Sequence, residues 1–438
     1  MKTTTRWVLQ HGVVRLAAKR AVRQGDLHAH FMREPRYRDD PFPFYEQVRS
    51  RGELVPGRLV NVTASYDVVS QVLRSDDWRA GPDEDALPRP LAGLVRWSRD
   101  ARALGPIDPP SMLVVEPPDH TRYRRLVSKV FTARAVEALR PDIEAVASDL
   151  LDRLAGRDDV DVVASYANLL PVAVISQILG VPPADHERVL RLGHLAAPSL
   201  DVGLSYREFR VVDGAVRDFQ AWLTGHIDRL RREPGQDLLS QLVRLEDEGQ
   251  RLSEVELKAT AGLLLAAGFE TTVNLLGSGI ALLLGHPDEL AAVRDDPALW
   301  PGAVDETLRM EGPVQMTGRF AVRETALAGQ SLKAGSLVVT YLGGANRDPA
   351  VFADPHRFDV RRANVRDHLT FSAGRHFCVG AALARLEGEI GLRALFDRYP
   401  DLALRDGGQR RTTRVLRGWQ CLPVRLGQPA ADRVTAAT

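Results

Sequence analysis

Two short stretches of the chain combine residue types that could do chemistry. Residues 371–380 read FSAGRHFCVG and place Cys378 just before a predicted helix. The unpaired N–H groups and the dipole at a helix N-terminus stabilise a thiolate, so this cysteine is a candidate for chemistry. Residues 266–272 read AAGFETT and place Glu270 beside Thr271 on an otherwise apolar stretch. Because a carboxylate is costly to bury without partners, Glu270 indicates a functional role.

The cysteine segment has the composition of a ligand-binding loop. Gly374 and Gly380 permit tight backbone turns beside a bulky planar ligand, and Phe371 supplies apolar cover. Cys378 has no cysteine or histidine companions at the spacing of a zinc site. A single thiolate can, however, be the axial ligand of haem iron, where it pushes electron density onto the metal and favours O–O cleavage.

Two other interpretations of Cys378 stay open at this point. His376 could be a base that activates a nucleophilic thiol, although two residues in one turn have poor geometry for such a pair. The cysteine could also be an inert buried residue, which the surrounding glycines and phenylalanine disfavour. Arg375 and His376 place positive charge beside the sulfur in the sequence, which favours the thiolate.

A long apolar helix is predicted to carry Glu270. It begins with a capping box formed by Ser253 and Glu256 and ends at Gly285, so it is about 45 Å long. Between Lys258 and the end of the helix, Glu270 is the only charged residue. Charged stretches flank the helix, and glycines and an asparagine interrupt it, so we expect a buried central helix and no transmembrane anchor.

The rest of the chain predicts one large helical domain with small sheets at one side. Helical periodicity dominates residues 136–310, with Pro, Gly and Asp clusters as punctuation. Runs rich in Val and Thr between turn residues predict short strands near residues 60, 320 and 338 and near the C-terminal end.

Composition narrows the classes of partner. The chain has 58 Lys and Arg against 57 Asp and Glu, so a net charge of +1 gives no reason to expect nucleic acid. Two cysteines exclude a disulfide framework and favour a reducing cytoplasm. The first thirty residues are basic and amphipathic without the apolar core of a signal peptide, and two interpretations are a helix docked on the body and an interfacial membrane helix.

The motifs together resemble the cytochrome P-450 superfamily, in the bacterial style, over residues 40–427. FSAGRHFCVG resembles its F-x-x-G-x-x-x-C-x-G haem signature, with Ser372 where glycine is usual. AAGFETT resembles the oxygen-activation segment, and ETLR at 306–309 resembles the E-x-x-R pair. The resemblance implies that Glu306 and Arg309 are buried and bind the segment 361–364, in a structural role.

The resemblance also implies a fold and a set of site residues. The fold is the mostly helical, triangular cytochrome P-450 domain with small β-sheets, in which haem lies buried between the long central helix and the cysteine-loop helix. We expect an N-terminal extension at 1–35, a catalytic domain at 36–427 and a tail at 428–438. Cys378 is implied as the iron ligand of haem b (iron protoporphyrin IX). Residues implied to bind the haem or its propionates are His120, Arg124, Ala267, Arg319, Phe371, Gly374, His376 and Gly380.

The implied activity is haem-thiolate monooxygenation of a small hydrophobic organic substrate, by hydroxylation or epoxidation. Thr271 and Glu270 are implied to assist oxygen activation, with Glu270 relaying protons, and the small pair Ala267–Gly268 leaves room for O2. Electrons are implied to come from NAD(P)H through ferredoxin reductase and ferredoxin, docked on a face that includes Arg122, Arg125, Lys129 and Arg375. Substrate-lining positions are expected at 85–105, 190–212, Leu263, Ala267, 314–317 and Trp419.

Three other functions stay open as alternatives to this one. A hydrogen-peroxide-driven peroxygenase would normally lack the acid–alcohol pair, which is intact here. A non-catalytic haem-binding protein would need neither a thiolate nor a proton relay. A Cys–His hydrolase would bind no haem.

Overall fold

Helices make up most of the chain in the computed structural model, which describes residues 2–83, 88–244, 246–247 and 250–430. The α-helices in these ranges are α1 (Lys2–Trp7), α2 (Val13–Val22), α3 (Leu27–Arg33), α4 (Arg36–Asp39), α5 (Phe42–Ser50), α6 (Tyr66–Arg74), α7 (Arg89–Ser98), α8 (Asp119–Ser128), α9 (Ala133–Glu137), α10 (Arg140–Asp152), α11 (Leu169–Ile178), α12 (His186–Ala196), α13 (Tyr206–Arg232), α14 (Leu238–Arg244), α15 (Glu254–Gly285), α16 (Pro287–Asp295), α17 (Trp300–Met310), α18 (Leu342–Ala345) and α19 (Ala381–Arg398). Two π-helical turns, Val8–Gly12 and Val163–Ala167, come shortly before α2 and α11.

The strands are short and form small sheets. They are β1 (Asn61–Thr63), β2 (Trp78–Arg79), β3 (Asp159–Asp161), β4 (Glu246–Asp247), β5 (Gln250–Arg251), β6 (Met316–Ala321), β7 (Thr325–Leu327), β8 (Gln330–Leu332), β9 (Leu337–Tyr341), β10 (Ala403–Leu404), β11 (Gln409–Arg410), β12 (Trp419–Cys421) and β13 (Pro423–Arg425). The largest sheet has the order β1-β9-β6-β2, with β1 parallel to β9 and the other pairs antiparallel. A second sheet has the order β10-β13-β3. The expected mostly helical fold with small sheets is confirmed.

The central helix α15 begins and ends where the sequence predicts. The Ser253 hydroxyl accepts a hydrogen bond from the Glu256 N–H at 3.3 Å, and the Glu256 carboxylate accepts one from the Ser253 N–H at 2.8 Å. By length and composition α15 could cross a membrane, but 72% of its most apolar window is buried inside the protein. That burial is typical of the core helix of a globular protein.

Helices α15 and α19 pack side by side and run in the same direction. A Cβ at Gly388 would lie 3.1 Å from the Leu275 side chain, and further along one at Gly279 would lie 2.7 Å from the Leu392 side chain. Glycine therefore lets the two backbones approach closely at both points. Because contacts advance together along both helices, Cys378, just before α19, lies level with the first half of α15.

The N-terminal helices are docked on the body of the protein. The indole N–H of Trp7 donates to the Leu204 carbonyl at 3.0 Å, and its ring lies 5.3 Å from the ring of Tyr206. Arg6, also buried, forms an ion pair with Asp213 on α13. These contacts fasten the first helix to the segment that leads into α13.

Candidate functional site

The cysteine loop is held by its own backbone and by α6. The Cys378 N–H donates to the Phe371 carbonyl at 2.9 Å, and a 3₁₀ turn at Gly374–His376 lies between them. Gly374 has φ of +67°, and a Cβ there would lie 2.4 Å from the Leu73 carbonyl oxygen. The expected tight backbone turn at Gly374 is therefore confirmed, and the absence of a side chain there also lets the loop approach α6 closely.

The side chain of Cys378 is accessible, but many protein atoms surround its thiol. This desolvation raises the pKa of the thiol. The Gly380 N–H, which donates to the sulfur, and the positive charges of Arg124 and Arg385 act in the opposite direction. The expected N–H donor at the N-terminus of α19 is therefore present, but burial has the larger effect on the pKa of the thiol.

The positive charge expected beside the sulfur from Arg375 and His376 is offset by an acid. Arg375 donates to Glu116 at 2.8 Å and forms an ion pair with Asp76, and His376 Nε2 lies 3.4 Å from Glu116. Burial opposes ionisation of Glu116, but hydrogen bonds from His376 and the Ala80 N–H outweigh it and lower its pKa to about 2. The prediction that Arg375 and His376 stabilise the thiolate directly is wrong, since Arg124 and Arg385 are the cations that act on it.

Four side chains expected at the propionates, His120, Arg124, Arg319 and His376, lie around this loop. The rings of His120 and His376 lie 4.4 Å apart, and burial followed by His376 and Arg124 lowers the pKa of His120 to about 4. Arg319 is buried and donates to Thr317 Oγ1 and the Gly318 carbonyl, each at 2.9 Å. Within the described residues no carboxylate lies at ion-pair distance from Arg319.

This arrangement fits a ligand with two carboxylates. Burying a guanidinium without an anion is costly, and desolvation lowers the pKa of Arg319 to about 10. The acid nearest this cluster, Glu116, is already engaged by Arg375 and His376. The haem propionates, as charge-assisted acceptors, match the surplus of buried positive charge.

One stripe of α15 is not covered by other protein groups. Leu263 and Thr271 are partly exposed and Ala267 is exposed, and these three lie four residues apart on one face. The Thr271 hydroxyl donates to the Ala267 carbonyl at 2.8 Å. Gly268 faces away from this stripe, and a Cβ there would lie 2.8 Å from Ile175 on α11. The assignment of Gly268 to an oxygen pocket is wrong, because its small size serves helix packing.

Glu270 is buried next to two partners that sequence reasoning missed. Arg411 Nη1 lies 2.7 Å from Glu270 Oε1, and His194 Nε2 lies 3.4 Å from Glu270 Oε2. Neither carboxylate oxygen has a hydrogen bond of good alignment. Burial raises the pKa of Glu270, against the opposing charge of Arg411, and burial followed by Arg411 lowers the pKa of His194 to about 4. No sequence signal joins residues so far apart, from α12, α15 and the segment after β11.

A second buried carboxyl group lies beside α15, next to Thr272. Glu387 on α19 is buried, and its contact with the hydroxyl of Thr272 on α15 is too weak to offset burial, which raises its pKa well above the ordinary value. The sequence analysis did not single out Glu387, because it lies in a helix with a regular mixture of charged and apolar residues.

The E-x-x-R pair is buried as expected. Arg309 donates to the two oxygens of Glu306 at 2.7 Å each, and both side chains are fully buried. Arg362 donates to the same carboxylate at 3.1 Å, which confirms the expected link to segment 361–364. Arg309 also donates to three backbone carbonyls, so the pair fixes the course of the chain before the cysteine loop.

The expected substrate-lining segments belong to several elements. Part of 85–105 lies outside the described residues, and the described part forms α7. Segment 190–212 contains the end of α12 and the start of α13, and Val314 pairs with Leu416 in an isolated bridge. Trp419 packs on α15, where a Cβ at Gly277 would lie 3.4 Å from it, and Arg410 covers its ring at 3.8 Å.

Part of the expected docking face for the electron donor is occupied by ion pairs. Arg122 donates to Glu256 at 2.6 Å, and Arg375 is engaged by Glu116 and Asp76. These two charges are therefore offset. Lys129 is exposed, and within the described chain no carboxylate lies at ion-pair distance from it.

Comparisons with known proteins agree with this geometry. A family model for cytochrome P450 matches residues 299–413. The putative cytochrome P450 140 of Mycobacterium tuberculosis is 52% identical over 99% of this chain and 100% of its own length. The 6-deoxyerythronolide B hydroxylase of Saccharopolyspora erythraea is 45% identical over 71% of this chain and 76% of its own. The crystal structure of Mycobacterium smegmatis CYP164A2 superposes with a TM-score of 0.81 at 35% identity, covering 91% of this chain and 99% of that one.

Proposed function

Since the chain belongs to the cytochrome P450 family and is a monooxygenase, we propose that it hydroxylates or epoxidises a hydrophobic organic substrate with O2. Its cofactor is haem, which we assign as haem b. Electrons come from NAD(P)H through ferredoxin reductase and ferredoxin. The observation that carries the proposal is the cysteine loop, in which the Gly380 N–H donates to the Cys378 sulfur and the positive charge of Arg124 stabilises the thiolate.

Cys378 would hold the iron through its sulfur. Thiolate-ligated haem supplies the activation of O2. The Gly380 N–H and the charges of Arg124 and Arg385 favour the ionised sulfur, so they act together with a bound cation against the cost of burial. Phe371 is buried and supplies apolar surface next to the loop, with the Arg385 guanidinium over its ring at 4.7 Å.

The propionates of the cofactor would be bound by His120, Arg124, Arg319 and His376. Arg319 is the strongest candidate, because it is buried and, among the described residues, its guanidinium donates to neutral oxygens of its own strand. The pair of histidine rings at 4.4 Å would be stabilised by anions at the same place.

Proton delivery would rest on Glu270 and Thr271. The raised pKa of Glu270 makes its carboxyl group able to take up and release a proton closer to neutral pH. Thr271 lies on the accessible stripe of α15, and its hydroxyl, which now donates to the Ala267 carbonyl, can accept a hydrogen bond through its free lone pairs. Arg411 orients the Glu270 carboxylate, and breaking that contact would free it to move towards the stripe.

The substrate class follows from the character of the accessible stripe. Leu263, Ala267 and Thr271 give it apolar surface with one hydroxyl, and Trp419 packs at the next turns of the helix. An apolar pocket with few polar groups suits a natural product, terpene, steroid or acyl chain.

Placement in the cell and chain boundaries are part of the same proposal. We place the protein in the cytoplasm, where its two free cysteines, Cys378 and Cys421, stay reduced. We take 36–427 as the catalytic domain, 1–35 as the N-terminal extension and 428–438 as a tail. An acidic ferredoxin would dock near Lys129. The rate at which ferredoxin reduces this protein should therefore fall as ionic strength rises.

Replacing the proposed ligand tests the function. The reduced, CO-bound holoenzyme should show the long-wavelength Soret band of thiolate ligation, and Cys378→His should lose both that band and substrate oxidation. Cys421→Ser is the matched control and should keep both, since Cys421 lies on β12. Retention of the long-wavelength band in Cys378→His would contradict the assignment.

A further inference from the structure

The N-terminal helices carry an exposed stripe of apolar and basic side chains. Val8, Val13 and Leu16 are 40%, 57% and 56% exposed. The π turn makes this alignment possible, because the Val13 N–H bonds to the Val8 carbonyl five residues back and places the two valines on one face. Lys19 and Arg20, both exposed, follow Leu16 at three and four residues and continue the same face.

The charge of this segment has one sign. Residues 2–25 contain six Lys and Arg and no Asp or Glu. One of the six, Arg6, is buried and paired with Asp213, and it holds the helix in place. The other five are exposed, and in the described part of the chain no carboxylate lies at ion-pair distance from them: Lys2, Arg15, Lys19, Arg20 and Arg23.

Two neighbouring elements extend the apolar part of this surface. Leu91, Leu94 and Trp97 on α7 are 39%, 40% and 43% exposed, and Val202 is 45% exposed. The Lys2 ammonium lies 5.6 Å from the centre of the Trp97 ring, which joins α7 to the N-terminal helix. We call the combined surface the entry face, made of α1, α2, the π turn between them, α7 and residues 200–206.

Arg15 completes the connection on the other side. Its Nη1 donates to the Gly203 carbonyl at 2.7 Å, next to the bond from Trp7 to the Leu204 carbonyl. The entry face is therefore one surface, and α7 and residues 200–206 also belong to the segments expected to line the substrate pocket.

We propose that the entry face binds the surface of an anionic phospholipid bilayer. Exposed aliphatic side chains and an indole flanked by unpaired cations are the pattern that inserts at the headgroup boundary, where cations meet phosphate and apolar groups meet acyl chains. The continuous helix made of α1, the π turn and α2 has five Lys and Arg among residues 2–22, too many charges for a bilayer span, so the protein lies on the membrane. A hydrophobic substrate dissolved in the bilayer then reaches the protein at this face.

Binding of the holoenzyme to vesicles tests the proposal without any activity measurement. The protein should co-sediment with phosphatidylglycerol vesicles at low salt and much less with phosphatidylcholine vesicles. Val13→Asp combined with Leu16→Asp should weaken this binding at least about tenfold, because each removes an aliphatic group from the membrane and adds a repelled charge. Lys19→Glu combined with Arg20→Glu should abolish the preference for the anionic lipid.

Matched controls lie on other surfaces. Val322 and Leu404 are also exposed, at 53% and 41%, but Val322 follows β6 and Leu404 is on β10. Val322→Asp combined with Leu404→Asp should bind vesicles as the unmodified protein does. All variants should retain the haem-CO spectrum, which shows that they are folded.

Three results would overturn the proposal. One is the absence of vesicle binding by the unmodified holoenzyme. Another is equal binding by the Val13–Leu16 variant and the control variant. The third is binding of an acidic acyl carrier protein, or self-association, that needs the same residues while vesicles do not bind.

Discussion

Two buried carboxylates in this protein have opposite surroundings. Glu306 accepts hydrogen bonds from Arg309, from Arg362 and from the Asp359 N–H, all between 2.7 and 3.2 Å. Glu270 is nearly as deeply buried, but it has one close cation, Arg411, and no well-aligned hydrogen bond. Both positions exclude water, so the difference lies in how completely the charge is satisfied.

The difference separates a structural charge from a mobile one. A fully hydrogen-bonded ion pair fixes its surroundings and strongly resists the removal of either partner. A carboxylate with a raised pKa and a single close cation can change its protonation state and its position at lower cost. The Glu306 region therefore holds the chain in front of the cysteine loop, and the Glu270 region remains able to move a proton.

Removing the charge of Glu306 should have the largest effect. Glu306→Gln leaves Arg309 and Arg362 buried without their anion, and should lower the free energy of unfolding by about 3–5 kcal/mol. Urea unfolding measures this loss. Glu137→Gln, in an exposed E-x-x-R pair with Arg140, should change it by less than about 0.5 kcal/mol. A similarly small change for Glu306 would mean that the buried network is not a structural charge.

Glu270→Gln should affect activity more than stability, which is the opposite of Glu306→Gln. The free energy of unfolding should change much less than in Glu306→Gln, because the loss of the Arg411 contact is offset by removal of a buried carboxylate without a well-aligned hydrogen bond. Turnover should fall about 10²-fold, with a larger solvent isotope effect, because general acid help is lost. Glu254→Gln, at the exposed start of the same helix, should leave turnover unchanged.

Thr271→Ala separates proton delivery from packing in the same region. Haem content and the CO spectrum should be unchanged, while hydrogen peroxide replaces much of the oxidised product per NAD(P)H consumed. Unchanged coupling in both Glu270→Gln and Thr271→Ala would remove the proposed contrast between the two carboxylates.

The two regions should also differ in their response to acid. Burial, followed by Arg411, lowers the pKa of His194 from 6.5 to about 4, so the unfolded chain takes up a proton first as pH falls. The folded state therefore loses stability from about pH 6.5 downwards, by about 1 kcal/mol between pH 7.5 and 5.5. His194→Asn should remove that part of the pH dependence in urea unfolding. An identical slope in the variant would contradict the assigned environment of His194.

Replacing Ser372 should have the smallest effect on stability. Its φ of +61° is in the left-handed region, and its buried hydroxyl has no hydrogen-bond partner. Ser372→Gly should therefore raise the free energy of unfolding by about 1 kcal/mol without changing turnover. A loss of turnover would show that this unsatisfied group, like Glu270, takes part in function.

The sequence predicts the long elements and the local motifs but not the contacts between distant segments. The ends of α15 are predictable because Ser253 and Glu256 form a capping box. Strands such as β3 and β10 are missed because two or three residues show no alternation. Arg411 and His194 are missed because only the fold brings them to Glu270.

Glycine shows the same limit. Gly374 and Gly268 are correctly expected to need a small residue, but their neighbours are Leu73 and Ile175. A glycine in a sequence indicates close approach without indicating what approaches.

The bond between Trp7 and the Leu204 carbonyl has a kinetic consequence. If residues 200–206 swing outwards, they must either break this bond and the Arg15 bond to Gly203 or carry the N-terminal helix with them. An outward movement of residues 200–206 is then a concerted displacement of this segment and the N-terminal helix, and not the motion of a short loop by itself. If a molecule binds beneath that segment, its residence time would then depend in part on a helix nearly two hundred positions earlier in the chain.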